Sequence, residues 1–259
     1  DKEQKYRKRY LDLIASPESV ARFQLRTRFI NTIRDYLNTH KFIEIDTPVL
    51  INKASGALAK PFKTHYNALD TDVFLRIAPE TYLKRAIAGG YNRVYEFARC
   101  FRNEGIDRTH NPEFSMLEYY SMDAGYMDSV RLTEDLFAAL IETSLSAAPA
   151  AESSPMTAAA LEPPFERMSM DAIFKRFTGF NLEPHGTGRL EPAEERAQLR
   201  ELAAELGLKT SENDSWEELF NLIFVHKIEP ELPADRPLVI YDYPAGIPAL
   251  AKPAAAPGR

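Results

Sequence analysis

The sequence predicts an α+β fold, an antiparallel hairpin flanked by helices. Three observations predict it. A start signal, Ser16-Pro17-Glu18, opens an amphipathic run with Phe23, Ile30, Ile33 and Leu37 at helical spacing. FIEIDTPVL (42–50) alternates like a strand and is ended by Pro48. RVYEFARCF (93–101) and EFSMLEYYSM (113–122) are two strand-like runs separated by a charged loop.

The elements follow in order. Residues up to about 13 read as a charged helix, and the long helix runs from Ser16 to about His40. The stretch 51–70 reads as loop, and DVFLRI (72–77) as a short strand. Pro79 opens a helix that Gly89-Gly90 closes, because glycine suits a helix end. The hairpin comes next, then a helix from about Met127 to Leu145. Residues 146–164 are rich in Ala, Ser and Pro and read as a linker or surface insertion. Helical patterns return at 170–177, 192–206 and 216–227, and PLVIYDYP (237–244) returns to a strand. The predicted division is a core over 1–145, a linker over 146–165, a helical insertion over 166–235 and a return strand of the core over 236–259.

Bulk properties narrow the function. The 259 residues carry a formal net charge of −6, so any nucleic-acid contact needs a local basic patch. KYRKRY (5–10) is the candidate, although a solvated helix face explains it as well. One cysteine, Cys100, excludes an intrachain disulfide and a cysteine-rich metal site. With no signal peptide and no long apolar run, a cytoplasmic protein without a membrane segment is expected. Asp1 in place of Met, and the terminal LAKPAAAPGR, suggest that both ends are cut.

The loop holds the chemistry. FRNEGIDRTHNPEF puts charges of both signs between two apolar strands, which suits gripping a charged ligand. Strand alternation places Glu96, Ala98, Cys100 and Arg102 on one face, and Tyr95, Phe97 and Phe101 on the other. On the second strand Phe114, Met116, Glu118 and Tyr120 share a face. If the two polar faces align, they form a floor with space above Ala98 and Cys100, an arginine at one end and two carboxylates. Buried carboxylates need partners. Those partners are either a cationic ligand or Arg93, Arg99 or Arg102 in structural bridges. Arg102 at the strand end can fork onto two oxygens of a phosphate or carboxylate. The chain has no Gly-rich phosphate loop, so a nucleotide would rest on Arg102, Arg108, His110 and the ring of Phe114.

FRNEGIDRTHNPEF resembles motif 2 of the class II aminoacyl-tRNA synthetases, in the form used by lysyl-tRNA synthetases. DKEQKYRKRYLDLI resembles that family's linker from the anticodon barrel, and FIEIDTPVL its motif 1. ASGALAKPFKTHYNALDTDVFLRIAPETYLKRAIAGG resembles the amino-acid-binding stretch, and DYPAGIPALAK a later strand and turn. The resemblance implies a class II antiparallel sheet with flanking helices, incomplete at the C-terminal end. It also implies a homodimer through the motif 1 region. The implied reaction joins ATP and lysine to lysyl-adenylate, with Mg2+, then transfers lysine to tRNA(Lys). Arg102 would hold the α-phosphate and lysine carboxylate, Glu104 the adenine and His110 the distal phosphates. Asn111 would lie beside them, with Phe114 under the adenine. Gly56, Glu80 and Glu118 would hold the α-amino end, with Tyr120 near the side chain.

Departures temper this. Ser55-Gly56 stands where the family usually has Gly-Gly. Nothing matches the metal-binding acids, the motif 3 arginine or the acid for the lysine ε-amino group, so no metal site is assigned. These are expected beyond Arg259, and residues 1–259 alone are expected to be inactive. Two alternatives stand beside a synthetase fragment. One is the paralogue that lysylates elongation factor P, against which Ala78 in RIAPE counts, since the paralogue tends to carry serine there. The other is a non-catalytic synthetase-like binding protein. HNPEF disfavours the aspartate and asparagine relatives.

Overall fold

The computed structural model describes residues 2–57, 59–107, 109–122, 124–145, 159–182, 192–244 and 247. They form helices and small sheets in two units, 1–148 and 149–259. The fold is therefore α+β.

In the first unit, helices α1 (Lys2–Arg7) and α2 (Arg9–Ala15) break at Lys8. Their basic side chains are partly neutralised within these helices. Arg7 meets Glu3 at 2.7 Å, and Arg9 meets Asp12 at 2.7 Å. Helix α3 (Pro17–Thr39) starts at proline as predicted, with Ser16 at the N-cap position. The Ser16 hydroxyl does not cap it; it accepts from the Lys5 ammonium. Ile33 and Leu37 are buried, but Phe23 is 48% exposed. The single apolar face expected for this helix thus packs only toward its C-terminal end.

The motif 1 run splits at Pro48 into β1 (Ile43–Glu44) and β2 (Leu50–Ile51). Proline has no amide hydrogen for the ladder, so the strand cannot run through it. The predicted loop contains a strand the sequence reading lacked, β3 (Lys63–Tyr66), beside β4 (Thr71–Leu75). Helix α4 (Glu80–Ala88) has Pro79 at its start and Gly89 at its end. The hairpin strands are β5 (Arg93–Phe101) and β6 (Glu113–Ser121), and helix α5 (Tyr126–Leu145) follows. One sheet has order β1-β5-β6, with β1 parallel and β6 antiparallel to β5; a second has order β2-β4-β3.

The hairpin has two unlike faces. Tyr95 is fully buried with Ile33, Leu37 and Phe42, and with Leu136 and Leu140 of α5. Phe97, Leu117 and Tyr119 pack against this cluster. The Tyr95 hydroxyl is not stranded there; it donates within 3.1 Å of both Asn38 and Glu44. Burying one such aromatic contributes about 2 kcal/mol, which fixes which face turns away from the helices.

In the second unit, β7 (Glu166–Ser169) pairs in parallel with β8 (Leu238–Tyr241). Helices α6 (Met170–Thr178), α7 (Pro192–Glu205) and α8 (Trp216–Ile223) match the three helical patterns. Ser215 and Glu218 form a capping box at the start of α8. Phe224–Ile228 continues as a π-helical turn. Phe174, Phe220 and Trp216 stack in the core. The low-complexity stretch 146–158 and most of the DYPAGIPALAK run lie outside the described residues.

Candidate functional site

The register of the hairpin decides the site. Val94 stands opposite Tyr120, Glu96 opposite Glu118, Ala98 opposite Met116, and Cys100 opposite Phe114. Opposed residues on paired strands point to the same side of the sheet. The two faces picked out from alternation therefore line up. Ala98 and Cys100 are buried, and burial pushes the Cys100 thiol above its ordinary value, so it is a floor residue and not a nucleophile.

Arg102 lies just past the strand, and its amide donates to Pro112 at 2.9 Å, extending the ladder by one bond. Its guanidinium carbon sits 5.1 Å from the centre of the Phe114 ring. Its Nε is buried and has no hydrogen-bond partner. A buried unpaired donor is costly, so this atom has unmet demand for an acceptor. No acid engages Arg102 in an ion pair among the described residues.

The two carboxylates have separate fates. Glu96 is bridged, but by none of the three arginines considered from sequence. Its partner is Arg76, just past β4, at 2.5 Å. Arg76 is 4% exposed and Glu96 1%. Thr47 donates to Glu96 at 2.7 Å, and Arg76 also donates to the carbonyls of Thr47 and Arg99. An arginine inside the apolar run DVFLRI was the available signal, since a buried guanidinium requires an acid somewhere. Among the described residues Glu118 has no ion-pair partner, and it accepts a hydrogen bond from the Tyr120 hydroxyl at 3.3 Å. Burial raises its carboxyl above the ordinary range; nearby Glu80 and Glu96 add to this, while Tyr120 and Lys84 oppose it. Burial likewise raises the Tyr120 phenol, so it stays a donor at neutral pH.

Gly56 and Glu80 meet as a pair. Gly56 has φ +92°, and a Cβ there would lie 3.1 Å from the Glu80 Cβ and 3.2 Å from the Ala78 Cβ. Glycine is required on both counts. The preceding Ser55 shares a hydrogen bond of 3.1 Å with Thr81. Glu80 accepts from Lys84 at 2.7 Å, and the Lys84 ammonium stands 5.9 Å from the Tyr120 ring centre. Sequence reading missed Lys84, which looks like any helix-surface lysine.

The loop is held by its own groups. The Glu104 carboxylate accepts from the Lys60 amide at 3.2 Å, and the Asn103 amide donates to the Lys60 carbonyl at 2.7 Å. Asp107 accepts from the amides of Thr109 and His110 and lies 2.7 Å from His110 Nδ1. The Thr109 amide, followed by the His110 ring, holds the Asp107 carboxyl far below the usual range. With Nδ1 engaged, Nε2 is the His110 nitrogen left to face a ligand. Asn111 is exposed beside it. Arg108 lies outside the described residues.

The structure thus brings together Arg102 with Phe114, Glu118 with Tyr120, and Glu80 with Gly56. Glu104, His110 and Asn111 sit on the exposed loop. Among the described residues, no group of three or more His, Cys, Asp or Glu is arranged to hold a metal ion. No described helix is long and apolar enough to cross a membrane.

The family described as tRNA synthetases class II (D, K and N) matches residues 1–257. The chain is 42% identical over 252 residues to a lysine–tRNA ligase of Pelotomaculum thermopropionicum, covering 97% of this chain and 48% of that protein. It is 41% identical to the lysine–tRNA ligase of Carboxydothermus hydrogenoformans, covering 97% of this chain and 49% of that protein. It is 42% identical to that of Enterococcus faecalis, covering 99% and 49%. The chain spans about half the length of these curated relatives. Matched over nearly all its residues by one family and by relatives of one name, the chain belongs to the class II tRNA synthetases (D, K and N).

Proposed function

We propose that the protein carrying this chain activates lysine with ATP and transfers it to tRNA(Lys). One observation carries the reading. At the end of the hairpin a guanidinium with an unmet donor lies over an aromatic ring, on the same face as a carboxylate that lacks a cation. That face suits a ligand with a carboxylate and an ammonium, next to an anionic nucleotide.

In the first step an oxygen of the lysine carboxylate attacks the α-phosphorus of ATP, and pyrophosphate leaves. In the second, a 3′-terminal hydroxyl of tRNA attacks the lysyl carbonyl, and AMP leaves. The nucleophile of the first step belongs to the substrate, so the site needs alignment and charge neutralisation more than a base. Arg102 bridges the lysine carboxylate and the α-phosphate. Phe114 stacks on the adenine once the guanidinium turns from its ring toward the phosphate. Glu104 reads the adenine, and His110 with Asn111 meets the distal phosphates. Glu118, Glu80 and the close backbone at Gly56 take the α-amino group, with Tyr120 along the side chain. Mg2+ bound to the ATP phosphates would supply charge neutralisation there, and among the described residues no cluster is arranged to hold it.

The wider reading goes with this one. Residues 1–145 serve as the catalytic core of a class II antiparallel sheet with flanking helices, 166–235 as an insertion and 236–259 as a return strand. Exposed Ile14, Phe23, Phe29, Val49 and Leu50 support a homodimer through the α3 and motif 1 region. A cytoplasmic location fits tRNA as the acceptor.

The test is lysine-dependent pyrophosphate exchange in the complete natural protein, followed by charging of tRNA(Lys) and, in parallel, lysylation of elongation factor P. Exchange with tRNA charging supports the proposal. Exchange with elongation factor P as sole acceptor transfers it to the paralogue's reaction, and no exchange refutes it.

A further inference from the structure

Three carboxylates surround the amino-acid end of the hairpin face, and they differ in charge balance. Glu96 is neutralised by Arg76 at 2.5 Å. Glu80 is neutralised from the side by Lys84 at 2.7 Å. Among the described residues Glu118 has no ion-pair partner and accepts from the Tyr120 hydroxyl.

Lys84 is more than a helix-surface pair. It is half-buried, and its ammonium also faces the Tyr120 ring of the neighbouring strand. Glu80 in turn is pinned against Gly56. The lysine side chain therefore places a primary ammonium between a carboxylate and an aromatic face, the two groups the proposed function gives to free lysine. The occupying group and the proposed ligand group are both primary ammonium ions, so they compete for the charge of one carboxylate, whose Oε1 Lys84 already holds.

We propose that Lys84 sets the affinity of the amino-acid subsite for α-amino ligands: its ammonium holds Glu80, and only a ligand that brings its own α-ammonium displaces it. This rests on the lysine-activating reading above. A ligand with a carboxylate and an ε-ammonium but no α-ammonium leaves the Lys84–Glu80 pair intact. Lysine must break that pair, and its affinity is lowered by the cost of doing so. The pair therefore lowers the affinity of every α-amino ligand alike. It leaves selection among α-amino acids to Glu118 and the remainder of the pocket.

The experiment is calorimetric titration of the complete natural protein with lysine and with 6-aminohexanoate, which lacks the α-ammonium. Wild type is compared with Lys84→Gln, Lys84→Met and Lys84→Arg. Lys84→Met keeps an apolar stem against Tyr120, so it reports even if the glutamine disturbs packing. Both neutral variants are expected to bind lysine about two- to fivefold more tightly, the scale of a half-exposed ion pair. Their affinity for 6-aminohexanoate is expected to stay at the wild-type value, and Lys84→Arg is expected to behave as wild type. Lysine binding that is unchanged or weaker in both neutral variants overturns the role of Lys84 while leaving lysine recognition standing. Equal gains for both ligands overturn it too, because then the pair does not single out the α-ammonium. A wild-type protein that binds no lysine overturns this inference and the proposed function together.

Discussion

Glu96 and Glu118 stand opposite each other across the hairpin, and among the described residues only Glu96 has an ion-pair partner. Two carboxylates at one level of a sheet face disfavour each other's charge. Arg76 resolves the conflict for Glu96, and Glu118 is left to a ligand. The asymmetry divides one floor into a structural half and a binding half.

Glu118→Gln separates these roles. The raised carboxyl means that the folded chain holds more protons than the unfolded one in a window that opens at the ordinary value of 4.5 and extends above it. The stability tied to this group is therefore greatest below that window and is lost as pH rises through it. The variant is expected to lose this slope and to be at least as stable as wild type at neutral pH. Its lysine affinity is expected to fall about tenfold or more. Denaturant melts across the acid-to-neutral range, paired with lysine titration, check both halves; a destabilised variant with intact lysine binding contradicts the assignment.

Arg102→Ala is expected to leave the unfolding midpoint within about 0.5 kcal/mol of wild type, since it removes no hydrogen bond to Nε. Pyrophosphate exchange by the complete protein is expected to drop about a hundredfold or more. Arg102→Lys is not expected to restore it, because a point charge cannot fork onto two oxygens. Near-normal exchange in either variant removes Arg102 from the chemistry.

Arg76→Met is expected to cost ~3–5 kcal/mol, because it leaves Glu96 charged and buried. Adding Glu96→Leu is expected to recover most of that loss, since an apolar pair replaces a desolvated ionic one. Chemical denaturation of the two variants decides it. A double variant no better than the single would show that the buried pair is not the source of the loss.

Gly56→Ala is expected to destabilise by about 1–2 kcal/mol, from the left-handed backbone and from contact with Glu80 and Ala78. Lysine affinity is expected to fall with it, because the crowded atoms include the Cβ of Glu80, so relief of the contact shifts Glu80 or the turn facing it. Unchanged stability and affinity would mean that the turn relaxes freely.

The hairpin was legible from sequence almost to the residue, because nine-residue strands with one aromatic face carry a period that nothing else imitates. The alignment of its two faces did not follow from that period, since it depends on the register between the strands. β3 was illegible for the opposite reason: all four of its residues are exposed, so it shows no apolar alternation. The helix starts at Pro17 and Pro79 could be read from local chemistry, whereas the partner of Glu96 could not. Arg76 lies 20 residues upstream, just past β4, and spacing along one strand says nothing about a pairing made through the third dimension. Lys84 was missed in the same way, since its second contact, Tyr120, lies on a different element.

The ribbon's two unlike faces also set where this gene can tolerate change. An insertion of one residue within β5 would turn Tyr95 and Phe97 outward and drive Glu96 into the aromatic cluster, so indels there should be purged from any mutational library. The turn between Glu104 and Thr109 carries no strand register, so a change of length there leaves the two faces of the ribbon as they are. Its length is set by contacts instead, since Asp107 holds the Thr109 and His110 amides and Glu104 reaches the Lys60 amide, so an indel there should spare the fold and cost nucleotide binding.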